Sequence, residues 1–152
     1  MISGSRKPQG AVAVLSPFKP RAQRAKPVDR EGLEQAALLR EVGLRYPAAA
    51  DLIYHVPNGG HRLKAVAAKL KAQGVKAGVP DLVLPMARGG YFGLYIEFKA
   101  KPPFDAEVSA NQHAYINKLT AQGYLAVVCR GHIDALETIR AYLLLPPTRA
   151  MA

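Results

Sequence analysis

A chain of 152 residues, 49% of them apolar, has the size and core material of one domain and leaves little room for a second. A formal net charge of +10 and a pI near 9.9 favour a polyanionic partner, nucleic acid first, because each neutralised phosphate releases a counterion. Cys129 is the only cysteine, which excludes an intrachain disulfide and a Cys-based zinc site. No apolar run has secretory-leader or membrane-spanning character, so the expected setting is the cytoplasm, without a membrane partner.

Residues 1–28 hold six basic residues, four prolines and no acid. No periodic apolar pattern there repays the entropy of ordering the segment, so it reads as a flexible basic arm. The domain proper is expected over 29–152. Asp29 is placed to cap a helix over 30–45, where Leu33, Ala36, Ala37 and Leu44 recur at helical spacing. Tyr46-Pro47 turns the chain, and DLIYHV, residues 51–56, reads as a strand. Pro57-Asn58-Gly59-Gly60 follows as a turn, since asparagine and glycine tolerate positive φ. HRLKAVAAKLKAQG, residues 61–74, is predicted to be a second helix. Its apolar stripe is Leu63, Val66, Ala67 and Leu70, with Lys64 and Lys71 off the stripe and Gly74 ending it.

After a loop containing Gly78 and Pro80, DLVLPM (81–86) and YFGLYIEFKA (91–100) read as strands joined by an ARGG hairpin turn. A helix over 109–122 is closed by Gly123. The nearly all-apolar YLAVVC (124–129) reads as a strand in the middle of a sheet covered on both faces. A last helix runs from about 133 to 145, where Pro146-Pro147 stops it. Strands interleaved with helices predict an α/β layered domain with a mixed sheet, and the hairpin makes at least one pair antiparallel.

Strand alternation locates the chemistry. Leu94, Ile96 and Phe98 point to one face, and Tyr95, Glu97 and Lys99 to the other. Glu97 and Lys99 thus stand about 7 Å apart on one side. Asp81 begins the neighbouring strand, its entry set by Pro80, and pairing of the two strands would bring it close to Glu97. Two carboxylates suit Mg²⁺ or Mn²⁺, which keep several waters and take further ligands from phosphate. A lysine beside such an ion would orient water and stabilise pentacovalent charge. Taken alone, an acid and a lysine two apart on a strand more often describe a solvated polar face with a weak cross-strand pair.

The surrounding motifs decide between these readings. GVKAGVPDLVLPMARGGYFGLYIEFKA, followed by SANQHAYINKLTAQGYLAVVC, resembles the VRR-NUC family, a branch of the PD-(D/E)XK nucleases. The similarity runs from about Glu31 to Leu145 and leaves out the basic arm. It implies a restriction-endonuclease-like αβββαβ core, a mixed central sheet flanked by helices, with one extra basic helix inserted after the first strand. It also implies a divalent metal, Mg²⁺ or Mn²⁺, and cleavage of DNA. By position Asp81 and Glu97 would be metal ligands and Lys99 the catalytic lysine. Gln112 would support the site, although Ser109 to Gln112 also forms a capping box. The family places a glutamate on its first helix, and both Glu34 and Glu31 are candidates. Asn58, His61 and Arg62, beside His55, flank the Pro-Asn-Gly-Gly turn at an expected DNA rim, and Lys64, Lys69, Lys71 and Lys76 would extend the phosphate-binding surface.

These readings converge on a divalent-metal-dependent endodeoxyribonuclease selective for branched or junction DNA. Small members of the family are associated with viruses and mobile elements, which would place the chain in a host cytoplasm, and with replication, repair or recombination. A two-fold junction would suit a homodimer. The alternatives are a DNA-binding protein without cleavage, and an exonuclease using the same site.

Overall fold

The computed structural model describes residues 28–57 and 64–149. The expected arm, apart from Val28, lies outside the described residues, as do Asn58, His61, Arg62 and Leu63.

The Asp29 carboxylate accepts from the Gly32 N–H and starts α1, Arg30–Arg45. Pro47 then occupies the first turn of a short helix, α2, Pro47–Ala50. Backbone bonds from Asp51, Leu52 and Ile53 back to Pro47 and Ala49 keep the chain coiled. The strand expected over 51–56 is therefore reduced to β1, Tyr54–His55. Next come α3, Lys64–Ala72, and β2, Leu82–Leu84. The remaining elements are β3, Leu94–Lys99; α4, Ala110–Ala121; β4, Leu125–Arg130; and α5, His132–Leu144. Between β2 and β3 the chain turns at Arg88 to Tyr91, where Gly89 and Gly90 both take positive φ, as a tight hairpin turn of the expected kind requires.

The four strands form one mixed sheet in the order β1-β2-β3-β4. Both β1-β2 and β2-β3 are antiparallel, and β3-β4 is parallel. Strand β4 is therefore an edge strand of the described sheet, not a central one. Its apolar sequence has another cause: α4 and α5 both pack against it and cover its two faces.

Leu94, Ile96 and Phe98 enter the core together with Leu82, Leu84 and Cys129. Helix α1 contributes Leu38 and Val42 to it, and α5 contributes Ala135, Leu136, Ile139 and Tyr142. Each large apolar side chain fully withdrawn from water here contributes about 1.5–3 kcal/mol. The hydroxyl of Tyr142 is satisfied within this core by donating to the Met86 carbonyl at 2.7 Å.

The expected stripe of α1 is corrected: Leu33 is 64% and Leu44 84% exposed. The inward face instead runs through Glu31, Glu34, Gln35, Leu38 and Val42, polar at its N-terminal end and apolar at its C-terminal end. Helix α3 likewise packs little of its expected stripe: Val66 and Ala67 are exposed and Leu70 is half-buried. No helix among the described residues is long and apolar enough to cross a membrane.

Candidate active site

The site lies on the face of β3 opposite the main core. Glu97 is 1% and Lys99 6% exposed, so neither belongs to a solvated polar strand face. The Lys99 Nζ stands 2.8 Å from Glu97 Oε1. The alternation that buries Leu94, Ile96 and Phe98 on one side delivers this charged pair to the other.

Asp81 is set by strand register. Leu82 pairs with Ile96, which puts Asp81 across from Glu97. The Asp81 Oδ2 accepts from the Phe98 N–H at 2.9 Å, so a carboxylate stands where a ladder carbonyl would otherwise be. Pro80 before it is buried and has no N–H with which to extend the ladder. One proline thus ends the strand pairing just before Asp81.

Gln112 makes contacts in two directions, to the start of its own helix and to Glu97. Its Oε1 accepts from the Ser109 N–H at 2.8 Å, and Ser109 Oγ accepts from the Gln112 N–H, completing the capping box of α4. Its Nε2 donates to Glu97 Oε1. The backbone of 77–79 fits closely under this helix start. Gly78 has φ +83, and a Cβ on it would lie 2.4 Å from the Asn111 carbonyl oxygen.

The two helix-one glutamates have different surroundings. The Glu34 carboxylate accepts from the Lys101 N–H at 3.3–3.4 Å, tying α1 to the segment after β3. The guanidinium of Arg30, 3.9 Å above the Phe104 ring, holds the same segment. Glu31 lies within electrostatic reach of Lys99, Asp81 and the Ala100 N–H. Burial pushes its carboxyl up; Asp81 and Asp29 add to the rise, and Lys99 and the Ala100 N–H oppose it. The structure therefore brings Glu31, Asp81, Glu97, Lys99 and Gln112 together and places Glu34 on an adjacent backbone contact.

A cleft of about 380 Å³ opens beside Asp81, lined by Asp29, Glu31, Gly32, Gln35, His55 and Pro57. The Nδ1 of His55 lies 2.9 Å from the Asp81 carbonyl oxygen and 3.1 Å from Gln35 Nε2. Sequence reasoning placed His55 at a DNA rim and passed over Gln35. The available signal was Gln35 four residues after Glu31, on the same helix face. Lys69, Lys71 and Lys76 are exposed and do not line this cleft. Of Lys64 the structure describes the backbone, as the first residue of α3.

The donor set fits a hard divalent cation. Glu97 Oε2 is buried and has no hydrogen-bond partner, although its other oxygen receives both Lys99 and Gln112. A buried orphan carboxylate oxygen is costly unless a proton or a cation occupies it. Burial pushes the Glu97 carboxyl up to about 7; Lys99 restrains the rise and Asp81 adds to it. Among the described residues no three His, Cys, Asp or Glu side chains form a self-sufficient metal cage. Two carboxylates completed by water and phosphate suit Mg²⁺ or Mn²⁺ better than a cage would.

The VRR-NUC domain family matches residues 22–133. A solved structure described as a VRR_NUC domain protein is 32% identical to this chain, with a TM-score of 0.67. The likeness covers 81% of this chain and 94% of that one. No curated protein matches.

Proposed function

Because this chain belongs to the VRR-NUC family, with its restriction-endonuclease-like α/β fold and nuclease-type function, we propose that it hydrolyses DNA phosphodiester bonds with Mg²⁺ or Mn²⁺ held by Asp81 and Glu97. The observation that carries this reading is Glu97 Oε2, buried without a partner beside Asp81 and Lys99. When bound, the cation supplies a Lewis acid for the phosphoryl group and lowers the pKa of the attacking water.

The chain's own residues do the rest. Lys99 spends one N–H on Glu97 and keeps its others for the attacking water and for the charge that develops on the phosphoryl oxygens. Gln112 holds Glu97 Oε1 in place, so that Oε2 would remain to hold the cation. Glu31, its carboxyl raised by burial, is placed to take the proton that the water releases. The short β1 and the 380 Å³ cleft beside Asp81 give an extended strand access to this group.

The same reading extends to branched or junction DNA as the substrate, in keeping with the nuclease family to which the chain belongs. On a two-fold junction a homodimer would present paired sites. The test incubates supercoiled plasmid and a four-way junction with protein and Mg²⁺, Mn²⁺ or EDTA. Wild type is compared with Lys99→Ala and Asp81→Ala. Metal-dependent cleavage, lost in both variants while DNA binding persists, is the expected result. Binding without cleavage of any DNA would favour a non-cleaving DNA-binding protein.

A further inference from the structure

The site face of the sheet does not end at Glu97. Tyr54 pairs with Val83 and Val83 with Tyr95, so these three side chains stand in a row on the face that carries Asp81, Glu97 and Lys99. Two residues along β3, about 7 Å, separate Tyr95 from Glu97, which is comparable to one step of an extended nucleotide strand. The Tyr95 ring meets Tyr124 edge-on at 5.2 Å, and Tyr124 meets Phe92 edge-on at 5.9 Å. Tyr54 is 51% and Phe92 60% exposed, with Tyr95 and Tyr124 half-buried between them. No described helix makes a substantial contact with β1 on either face.

Phe92, Tyr124 and Tyr95 brace one another through these edge-on contacts, and Phe92 is held although it faces water. Phe92 lies against the backbone of Gly123, where a Cβ would come within 2.9 Å of the ring, and its N–H donates to the Gly123 carbonyl. Such pre-ordering lowers the entropy cost of binding a flat ligand.

We infer that Tyr54, Tyr95, Tyr124 and Phe92 form a stacking surface for unpaired bases of the DNA strand that enters the candidate active site. The inference rests on the nuclease reading and deepens it by naming the substrate feature: nucleotides free of a duplex next to the scissile phosphate. Exposed aromatic rings beside a phosphodiester site, on a chain of net charge +10, match the chemistry of single strands, whose bases offer π-faces and whose backbone is anionic. A continuous duplex keeps its bases stacked on one another and offers these rings nothing comparable.

The experiment measures binding by the full chain in EDTA, using fluorescence anisotropy. Three labelled DNAs serve as probes: a blunt duplex, the same duplex with a single-stranded flap, and that flap with abasic sites in place of its bases. Tyr54→Ala and Phe92→Ala are expected to weaken binding to the base-bearing flap roughly five-fold or more each. They should leave the blunt duplex unaffected, and Tyr54→Phe should restore the flap preference. The abasic flap should bind wild type about as weakly as the base-bearing flap binds Tyr54→Ala. Equal affinity of wild type for the two flaps would overturn the inference. So would a Tyr54→Ala variant that changes sedimentation but not flap affinity, which would assign the surface to a contact between copies. Cleavage of the junction by wild type against Lys99→Ala, assayed separately with Mg²⁺, reports on the nuclease reading itself.

Discussion

Gln112 closes the start of α4 with one end of its amide and holds Glu97 with the other. The two jobs separate in Gln112→Glu. The new carboxylate still accepts from the Ser109 N–H, but it has no donor for Glu97 Oε1 and adds a further acid beside Glu31, Asp81 and Glu97. Cleavage is expected to fall about 10–100-fold, the usual cost of losing a group that orients a ligand, while the circular-dichroism melt moves little. An unchanged rate would remove Gln112 from the site.

Glu31 and Glu34 differ by one helical turn in sequence and by their partners in space. Glu31→Gln is expected to lower the cleavage rate about 100-fold, within the range of a lost general base, with stability kept or raised because its ionised form is disfavoured by burial. Glu34→Gln should leave the rate within a few-fold, since an amide oxygen still accepts from the Lys101 N–H. Single-turnover cleavage of one oligonucleotide by both variants decides the matter, and the reverse ranking would transfer the role to Glu34.

The Glu97 carboxyl stands at about 7 in the folded chain against an ordinary 4.5. Between those values the folded chain keeps a proton that the unfolded chain has released. Stability is therefore greatest below about pH 4.5 as far as this group is concerned, and it is lost as the pH rises towards 7. Urea unfolding in EDTA at a series of pH values should show this fall in wild type and a flatter profile in Glu97→Gln. Because a cation needs the ionised carboxylate, Mg²⁺ should offset the loss at neutral pH. Cleavage at limiting Mg²⁺ should correspondingly rise through about pH 7.

Gly78 makes a test of the scaffold alone. Alanine there meets both a φ of +83 and the Asn111 carbonyl, and strain of this kind costs about 1–3 kcal/mol. A lower urea midpoint with an unchanged slope is the expected signature, and an unaltered midpoint would mean that the segment before Pro80 is not tightly seated on α4.

Local chemistry by itself determined much of this protein. Asp29 and Ser109 cap helices, the ARGG turn makes a hairpin, and alternation along LYIEFK puts Glu97 and Lys99 on one face. All of these act over a few residues, so a short window of sequence contains their whole cause. The ordered motifs extended that reading to the family and its fold. Tertiary structure decided what depends on elements far apart in the chain. Helix α1 shows its polar Glu31-Glu34-Gln35 face inward because the sheet end and the segment after β3 supply partners there, which apolar periodicity alone does not register. Strand β4 is apolar at an edge because two helices cover it. Glu97 became a buried group with one oxygen unpartnered only when β2, β3 and α4 met around it. Burial and coordination are properties of that meeting, because desolvation depends on every neighbour at once and a sequence window holds only the nearest few.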